Sequence, residues 1–344
     1  LILFFLSMLF ASLCSCQENW NFSVLYTWVN GSDVKLASDL RAHNLAHKVP
    51  KIRVRDRDEL KFSLRSLEKY MPWFQGEVVI FTNYDPPEWL NLNHPRVRVV
   101  THQDIIPKSN LPTFNSDGIE YYISHIPDLS ERFVYFNDDM FVSNFVEPSD
   151  FFNGEGKPRL RFTPRSPKGN VAHGKEAHDK YQKSGQNKWI ANIYYTHHLM
   201  EQKYGSGYHG YLHHAPYAML KQALAAIQSD WPKEAFYPVT QKSRDFQSIQ
   251  TPSLHHWLCA RKGWGEPYHD SRKNNEYAFV TAVKPATMAQ ELKGIETKGI
   301  KFFNLADYPD ELDGLVRSWM EHKYPKPSSF ENPLTELASF KPDL

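Results

Sequence analysis

Residues 111–141 read LPTFNSDGIEYYISHIPDLSERFVYFNDDMF, and within them the run Phe133-Val134-Tyr135-Phe136 ends abruptly at Asn137-Asp138-Asp139. The aromatic and β-branched run predicts a β-strand whose carboxyl end carries two adjacent carboxylates. Adjacent carboxylates repel each other and destabilise a core. In α/β proteins ligands bind at strand carboxyl ends, where paired acids suit a divalent cation that carries phosphate. The alternative is a polar turn that closes a hairpin, because Asn-Asp is common in turns.

The segments around this strand alternate between strand and helix patterns. Further strands are predicted at 22–29, 77–83 and 97–102, and helices at 32–47, 59–70 and 116–124. This order predicts an α/β, Rossmann-like fold with a mostly parallel sheet and helices on both faces.

The second half of the chain has weaker periodicity. Residues 154–174 are rich in Gly, Pro, Lys and Arg and predict a lid loop. Helices are predicted at 187–204, 215–228 and 251–262, and a late strand at 279–283. We therefore predict a single domain over residues 20–323, made of the halves 22–152 and 153–323 with a helical C-terminal part, followed by a proline-containing tail at 324–344.

Composition restricts the partners. The 344 residues carry 40 Lys or Arg and 39 Asp or Glu, and this net charge of +1 argues against a nucleic-acid-binding protein. The balance instead favours a small polar molecule or a glycan as the partner.

The N-terminal segment 1–16, LILFFLSMLFASLCSC, is an apolar run that ends in small residues. It predicts a secretory signal peptide or a truncated signal anchor, and hence a protein of the Golgi lumen or a secreted protein. Contact with a membrane is expected only through an uncleaved anchor. Cys14 and Cys16 lie in this segment, so its removal leaves Cys259 without a disulfide partner.

Polar residues follow two other predicted strands. Asn30, Gly31 and Asp33 follow the first, directly before a helix start whose backbone N–H groups and positive dipole end suit a phosphate. Thr82 and Asn83 follow the second. A parallel sheet would bring both strand ends into one crevice. A capped turn at each strand end is the alternative.

Titratable residues elsewhere add candidates for catalysis. His214 lies in His213-His214-Ala215-Pro216, and an imidazole can relay protons near neutral pH. No histidine pair has the zinc-helix pattern with an intervening Glu. Arg244 carries a guanidinium suited to phosphate. Glu120, Arg65 and Arg244 are each also compatible with an ordinary surface charge.

Taken together, these segments resemble the Stealth family of sugar-1-phosphate transferases. The family's first region is similar to residues 26–33, YTWVNGSD, and its second to residues 55–68, RDRDELKFSLRSLE, with 80–83 and 99–102. Its third is similar to 111–116, 119–120 and 129–139. A fainter fourth region is similar to 302–307, where Ala306 replaces the usual Asn.

The resemblance implies a glycosyltransferase-A-like fold and a catalytic set of Glu120, Asp139, His214 and Arg244. Glu120 and Asp139 keep the family's separation, and His214 matches its His-x-Pro element. For the arginine, Asp245 is adjacent, whereas relatives carry an Asp four positions later. Nucleotide-sugar contacts are assigned to Thr27, Trp28, Asn30, Gly31, Asp33, Arg65, Thr82, Asn83 and Asn115, and metal ligands to Asp138, Asp139 and Asp307.

The implied reaction moves a hexose- or N-acetylhexosamine-1-phosphate from a UDP-sugar to a hydroxyl of a glycan or glycoprotein acceptor, with release of UMP and with Mg²⁺ or Mn²⁺ as the cofactor. Residues 22–152 would bind the donor and 153–323 the acceptor, and a homodimer is compatible with this reading. Two alternatives stay open. One is a conventional metal-dependent glycosyltransferase, and the other is an inactive secreted carbohydrate-binding protein.

Overall fold

The computed structural model describes residues 22–31, 33–46, 56–163, 174–205, 210–269 and 276–333. The predicted signal segment, Ser32 and residue 47 lie outside them, whereas the helix predicted to run to about residue 47 ends at Ala42, with His43 as its C-cap. The described strands are β1 (Ser23–Trp28), β2 (Val78–Thr82), β3 (Val97–Thr101), β4 (Arg132–Asn137), β5 (Met140–Val142), β6 (Arg159–Phe162), β7 (Tyr217–Leu220), β8 (Glu266–His269), β9 (Tyr277–Val280) and β10 (Phe302–Leu305). The described α-helices are α1 (Val34–Ala42), α2 (Glu59–Tyr70), α3 (His102–Ile105), α4 (Ser116–Tyr121), α5 (Gly174–Ser184), α6 (Lys188–Tyr204), α7 (Lys221–Asp230), α8 (Pro232–Thr240), α9 (Thr251–Lys262), α10 (Pro285–Thr297) and α11 (Asp313–Lys323).

A five-stranded sheet in the order β3-β2-β1-β4-β7 forms the centre of the fold. Strands β1 to β4 run parallel, and β7 pairs with β4 in the antiparallel direction. The strand order reverses between β1 and β4, and this switch point is where α/β proteins bind ligands. The predicted α/β, Rossmann-like fold with a mostly parallel sheet is confirmed.

The first half of the sheet follows from its hydrophobic sequence. Every residue of β2 is buried, and only Thr27 of β1 is not, as expected for parallel strands that are covered on both faces. Helix α2 buries Leu60, Leu64 and Leu67, at the helical spacing seen in the sequence, and each is at most 1% exposed. Burying such a side chain stabilises the fold by roughly 1.5–3 kcal/mol.

A second sheet in the order β5-β10-β9 lies at the carboxyl end of β4. Phe141 of β5 stacks on Phe303 of β10, with 4.8 Å between ring centroids. The backbone N–H of Leu305 donates to the carbonyl of Asp139 at 3.2 Å. The end of β10 therefore lies beside the acid pair.

The second half differs from the prediction in three places. Residues 215–228, predicted as one helix, contain β7 followed by α7, because Tyr217–Leu220 pairs with β4. The predicted lid loop contains β6, which pairs with β8, and residues 164–173 lie outside the described part. Helices α5 and α8 were not predicted, and α10 and α11 were predicted only as a helical C-terminal part without bounds. Tertiary pairing and packing, which local periodicity does not contain, decide these elements.

The described part of the predicted tail, residues 324–333, packs onto the domain. Phe330 is fully buried in the main core. Arg65 Nε and Nη2 donate to the two carboxylate oxygens of Glu331 at 2.7 and 2.6 Å. The packed domain thus extends past residue 323. None of the described helices is long and apolar enough to cross a membrane.

Candidate active site

The carboxyl ends of β1 and β4 are joined by hydrogen-bonded polar side chains. The Tyr135 hydroxyl, from β4, lies 3.0 Å from Thr27 Oγ1 and donates to Glu120 Oε1 at 3.4 Å. Thr27 Oγ1 also donates to Asn137 Oδ1 at 3.5 Å. Thr27 and Asn137 are register partners in the parallel pair. One network therefore links the strand ends to α4, the helix that carries Glu120, 15 residues before Tyr135 in the chain.

His214 approaches the same strand end from the turn before β7. Its Nε2 lies 3.4 Å from Asn137 Nδ2 and 3.5 Å from Asp139 Oδ1, and its Nδ1 lies 3.2 Å from the Tyr217 hydroxyl. Tyr217 is the register partner of Tyr135 across the antiparallel pair. Pairing of β7 with β4 is therefore what brings His214 to Asp139.

Glu120 lies on α4 and is only 7% exposed. Burial raises the pKa of its carboxyl to about 8, and the nearby charge of Asp117 adds to the rise. Arg244 and hydrogen bonds from Tyr135 and Thr251 oppose it. Glu120 therefore keeps its proton near neutral pH and is suited to donate a hydrogen bond.

Arg244 contacts the beginning of the same helix. Its Nε donates to Asp117 Oδ2 at 3.2 Å, and its Nη2 donates to Ser116 Oγ at 2.5 Å. Asp117 precedes Glu120 by one helical turn on α4. The predicted catalytic residues Glu120, Asp139, His214 and Arg244 thus fall into one connected region, with Asp117 and Tyr135 as links.

Asp138 and Asp139 lie near two further acids, Asp56 and Glu59, at the start of α2. Burial raises the pKa of Asp138 well above its ordinary value, and the charges of Asp139, Glu59 and Asp56 raise it further. Asp139 Oδ1 is buried and accepts no hydrogen bond from the residues that the structure describes. Like charges of this kind are stabilised by a cation.

These carboxylates fit Mg²⁺ or Mn²⁺. Mg²⁺ is usually bound through one or two carboxylates, with substrate phosphates and water as the remaining ligands. Within the described ranges, no group of three or more His, Cys, Asp or Glu side chains could hold a metal ion. Asp138 and Asp139 would be the residues that hold such an ion, and their assignment as ligands stays a prediction. Asp307 is exposed beyond β10, and its role as a ligand stays a prediction.

Four of the residues predicted to contact the nucleotide-sugar are buried in the core or have partners within the protein. Trp28 is 4% exposed inside the main core, and Thr82 is fully buried. Asn115 is also fully buried and caps α4, with Oδ1 accepting from Asp117 N and Nδ2 donating to Pro238 O. Arg65 pairs with Glu331, as described above. Strand ends and motifs indicate position along the chain, but they do not show the direction of a side chain.

The other predicted contacts stay near the strand ends. Thr27, Asn30, Gly31 and Asn83 are half-buried there. The Asp33 carboxylate accepts from Lys35 N at 2.6 Å and so caps α1. These five residues remain candidates for the donor site.

Sequence reasoning missed Asp117, Tyr135, Asn137 and Tyr217 as site residues. A signal for two of them was present in the sequence. Tyr135 places a hydroxyl inside an otherwise apolar strand, and Asp117 lies three residues before Glu120, which puts both carboxyls on one helix face. Tyr217 had no such signal, because its segment was predicted as a helix.

Fold and site together define a Rossmann-like α/β protein with an acid-rich site at the switch point of a mostly parallel sheet. Residues 53–160 match the family model for Stealth protein CR2, conserved region 2. The capsular polysaccharide phosphotransferase WcwK of Streptococcus pneumoniae is 33% identical over 340 residues, which cover 90% of this chain and 99% of that protein. The chain belongs to the Stealth family.

Other relatives are longer. An exopolysaccharide phosphotransferase of Streptomyces coelicolor is 30% identical over 320 residues, which are 90% of this chain and 52% of that protein. The chain spans between 24% and 52% of the length of four such exopolysaccharide phosphotransferases. Among solved structures, the galactosyltransferase LgtC in complex with donor and acceptor sugar analogs aligns over 92% of this chain and 99% of its own, with a TM-score of 0.43 and 9% identity.

Proposed function

We propose that this protein is a sugar-1-phosphate transferase that moves a hexose- or N-acetylhexosamine-1-phosphate from a UDP-sugar to a hydroxyl of a glycan. Membership of the Stealth family and the chain's similarity to capsular and exopolysaccharide phosphotransferases support phosphotransfer. The observation that carries the proposal is the contact of His214 with Asp139, 3.5 Å apart, at a strand end linked through Tyr135 to Glu120. His214, the pair Asp138-Asp139 and the buried carboxyl of Glu120 are thereby brought together at one edge of the sheet.

In this reaction the acceptor hydroxyl oxygen forms a bond to the sugar-proximal β-phosphorus. The bond from that phosphorus to the bridging oxygen breaks, and UMP leaves with the electron pair. His214 Nε2 takes the hydroxyl proton, because it faces Asp139 at the strand end while Nδ1 is held by Tyr217. The product is a sugar–phosphate–sugar diester.

Positioning and charge supply most of the rate in phosphoryl transfer. Arg244 offers its guanidinium to a phosphoryl oxygen, and Glu120 orients the Tyr135 hydroxyl beside Thr27. Asp138 and Asp139 would hold a divalent cation, which would supply positive charge to the diphosphate oxygens. Thr27, Asn30, Gly31, Asp33 and Asn83 form the wall against which the nucleotide-sugar lies.

Product analysis tests the proposal. The protein is incubated with a panel of UDP-sugars, simple glycoside acceptors and Mg²⁺ or Mn²⁺, and products are followed by mass and ³¹P spectra. We expect UMP and a new diester resonance. Release of UDP with a phosphate-free disaccharide would indicate a conventional glycosyltransferase, and binding without turnover would indicate a carbohydrate-binding protein.

The Asp139→Asn variant sharpens this test. Loss of the carboxylate beside His214 should lower the transfer rate by about a hundredfold or more, while the half-exposed position leaves the midpoint of thermal unfolding nearly unchanged. Asp179→Asn, at a half-exposed position on α5 where the carboxylate pairs with Lys175, is the matched control with wild-type activity. Full activity in Asp139→Asn would remove the site assignment.

A further inference from the structure

Asp117 is a charged residue with no exposed surface. It lies in the first turn of α4, behind the N-cap residue Asn115 and one turn before Glu120. An isolated carboxylate in such a position is strongly destabilising, so it must be paired and hydrogen-bonded. Neither the sequence analysis nor the proposed mechanism gives it a role.

Three side chains donate hydrogen bonds to this carboxylate. Asn192 Nδ2 and Arg244 Nε each lie 3.2 Å from Oδ2, and Gln250 Nε2 lies 3.4 Å from Oδ1. These donors come from α6, from the loop after α8, and from the residue that precedes α9. Asn192 and Arg244 share Oδ2, so this oxygen stays directed at Arg244 without the bond from Gln250 to Oδ1.

Arg244 is in turn held at several atoms. Asp117 binds Nε, and Ser116 Oγ accepts from Nη2 at 2.5 Å. Lys188 Nζ donates to the backbone carbonyl of Arg244 at 2.9 Å. Among the described residues none accepts a hydrogen bond from Nη1, and the side chain is 21% exposed. The guanidinium is thus fixed along one edge, with its opposite corner open to a ligand.

Ionisation of both Asp117 and Glu120 would destabilise the fold, because the two carboxyls are buried on one face of α4. Asp117 has the guanidinium and two amide donors, whereas Glu120 has neutral hydroxyl donors. Burial raises the pKa of Asp117, but Arg244 opposes the rise. Asp117 is therefore the carboxyl of the pair that faces a full positive charge at hydrogen-bond distance, with Arg244 Nε 3.2 Å from its Oδ2.

We propose that Asp117 is a positioning residue that holds Arg244 in the orientation in which its free Nη1 corner binds a phosphoryl oxygen of the donor. Asp117 itself does not touch the substrate. This inference rests on the proposed function, because it takes a phosphate-bearing ligand as the partner of Arg244.

A double-mutant cycle tests it, with inorganic pyrophosphate as the probe in the presence of Mg²⁺ and calorimetry as the measurement. Asp117→Asn keeps the side-chain size but removes the charge, and should weaken pyrophosphate binding about tenfold to a hundredfold, as loss of a charge-assisted hydrogen bond does. In an Arg244→Ala background the same substitution should have no further effect, since it acts through Arg244. Additive losses, or wild-type binding by Asp117→Asn, would overturn the proposal.

Two further variants separate positioning from general stability. Ser116→Ala removes the second anchor at an exposed position and should weaken binding about threefold to tenfold, again only when Arg244 is present. Gln250→Ala removes a donor to Asp117 without touching Arg244. A purely structural role predicts losses that follow the unfolding midpoints of all variants, whereas positioning predicts losses only in those that release Arg244.

A spectroscopic readout makes the result independent of any ligand. The Nε–H signal of Arg244, assigned by its disappearance in Arg244→Lys, should exchange slowly with solvent in the wild type and rapidly in Asp117→Asn. An unchanged exchange rate would contradict the inference. A protein that transfers no sugar phosphate but shows this coupling would refute the proposed function alone.

Discussion

Glu120 combines a position in the candidate site with a large effect on stability. The unfolded carboxyl ionises near its ordinary pKa of 4.5, whereas burial holds the folded pKa at about 8. Between these pH values the folded protein binds more protons than the unfolded chain, so its free energy of unfolding falls as the pH rises from about 4.5 to about 8. Above about pH 8 the free energy of unfolding no longer changes through Glu120.

The Glu120→Gln variant removes this penalty, because the amide cannot ionise in either state. We expect it to be more stable than the wild type by a few kcal/mol at pH 8 and by little at pH 4.5, with lower transfer activity. Urea unfolding across this pH range measures the difference. Glu176→Gln, at an exposed position on α5, is the control and should follow the wild-type curve. A gap that does not widen with pH would show that Glu120 ionises normally in the folded protein.

A site residue can be predicted from the sequence when its neighbours in the chain are enough to mark it. Asp138 and Asp139 follow an apolar strand, and a sequence pattern suffices to notice them. Trp28, Thr82 and Asn115 are buried and Arg65 is paired with Glu331, so their assignment to the donor site stays a prediction. Side-chain direction is set by packing against segments that are far away in the chain.

At the scale of elements, α4 is the helix on which the site depends. It carries Ser116, Asp117 and Glu120 within one and a half turns, and it packs closely against α8. A Cβ atom at Gly118 would lie 2.8 Å from the carbonyl oxygen of Pro238, which is a rigid backbone atom. Glycine is therefore required there by the approach of the two helices.

The Gly118→Ala variant should separate α4 from α8 by a few tenths of an ångström or more. We expect a loss of about 1–3 kcal/mol in the free energy of unfolding, and a loss of transfer activity beyond it, because Asp117 and Glu120 move with the helix. Gly314→Ala on α11 is the control, since no atom lies within 4 Å of its added Cβ. That variant should gain about 0.5–1 kcal/mol from helix propensity. Equal stability of the two variants would contradict the close packing of α4.

At the scale of the whole molecule, the C-terminal segment closes the domain onto its first half. Glu331 and Arg65 form a bidentate ion pair with side chains only 7% and 13% exposed, and Phe330 enters the main core beside it. Removal of Arg65 leaves the nearly buried Glu331 carboxylate with Lys61, 3.9 Å away, as its cationic partner, and removal of Glu331 leaves the Arg65 guanidinium nearly buried without its carboxylate.

Arg65→Met and Glu331→Gln should therefore each lower the free energy of unfolding by about 2–3 kcal/mol, while the KM for the donor stays at the wild-type value. Denaturant unfolding and donor kinetics on both variants measure this. Lys157→Met, at an exposed surface pair with Glu155, is the control without effect. If Arg65 contacts the nucleotide, as its motif predicted, Arg65→Met alone will raise the KM of the donor.

The sequence by itself determined the parallel half of the fold and the acid pair at the end of β4. Continuous apolar strands, the Leu60, Leu64 and Leu67 spacing and the adjacent carboxylates are local signals, and local chemistry is enough to read them. The long motifs also indicated Glu120, His214 and Arg244 as members of one set. Only the tertiary structure decided how they meet. Antiparallel pairing of β7 carries His214 to Asp139, the Tyr135 hydroxyl reaches Glu120, and burial on α4 raises the pKa of the Glu120 carboxyl to about 8. These are effects of long-range packing and of desolvation, and neither is encoded in the pattern of neighbouring residues.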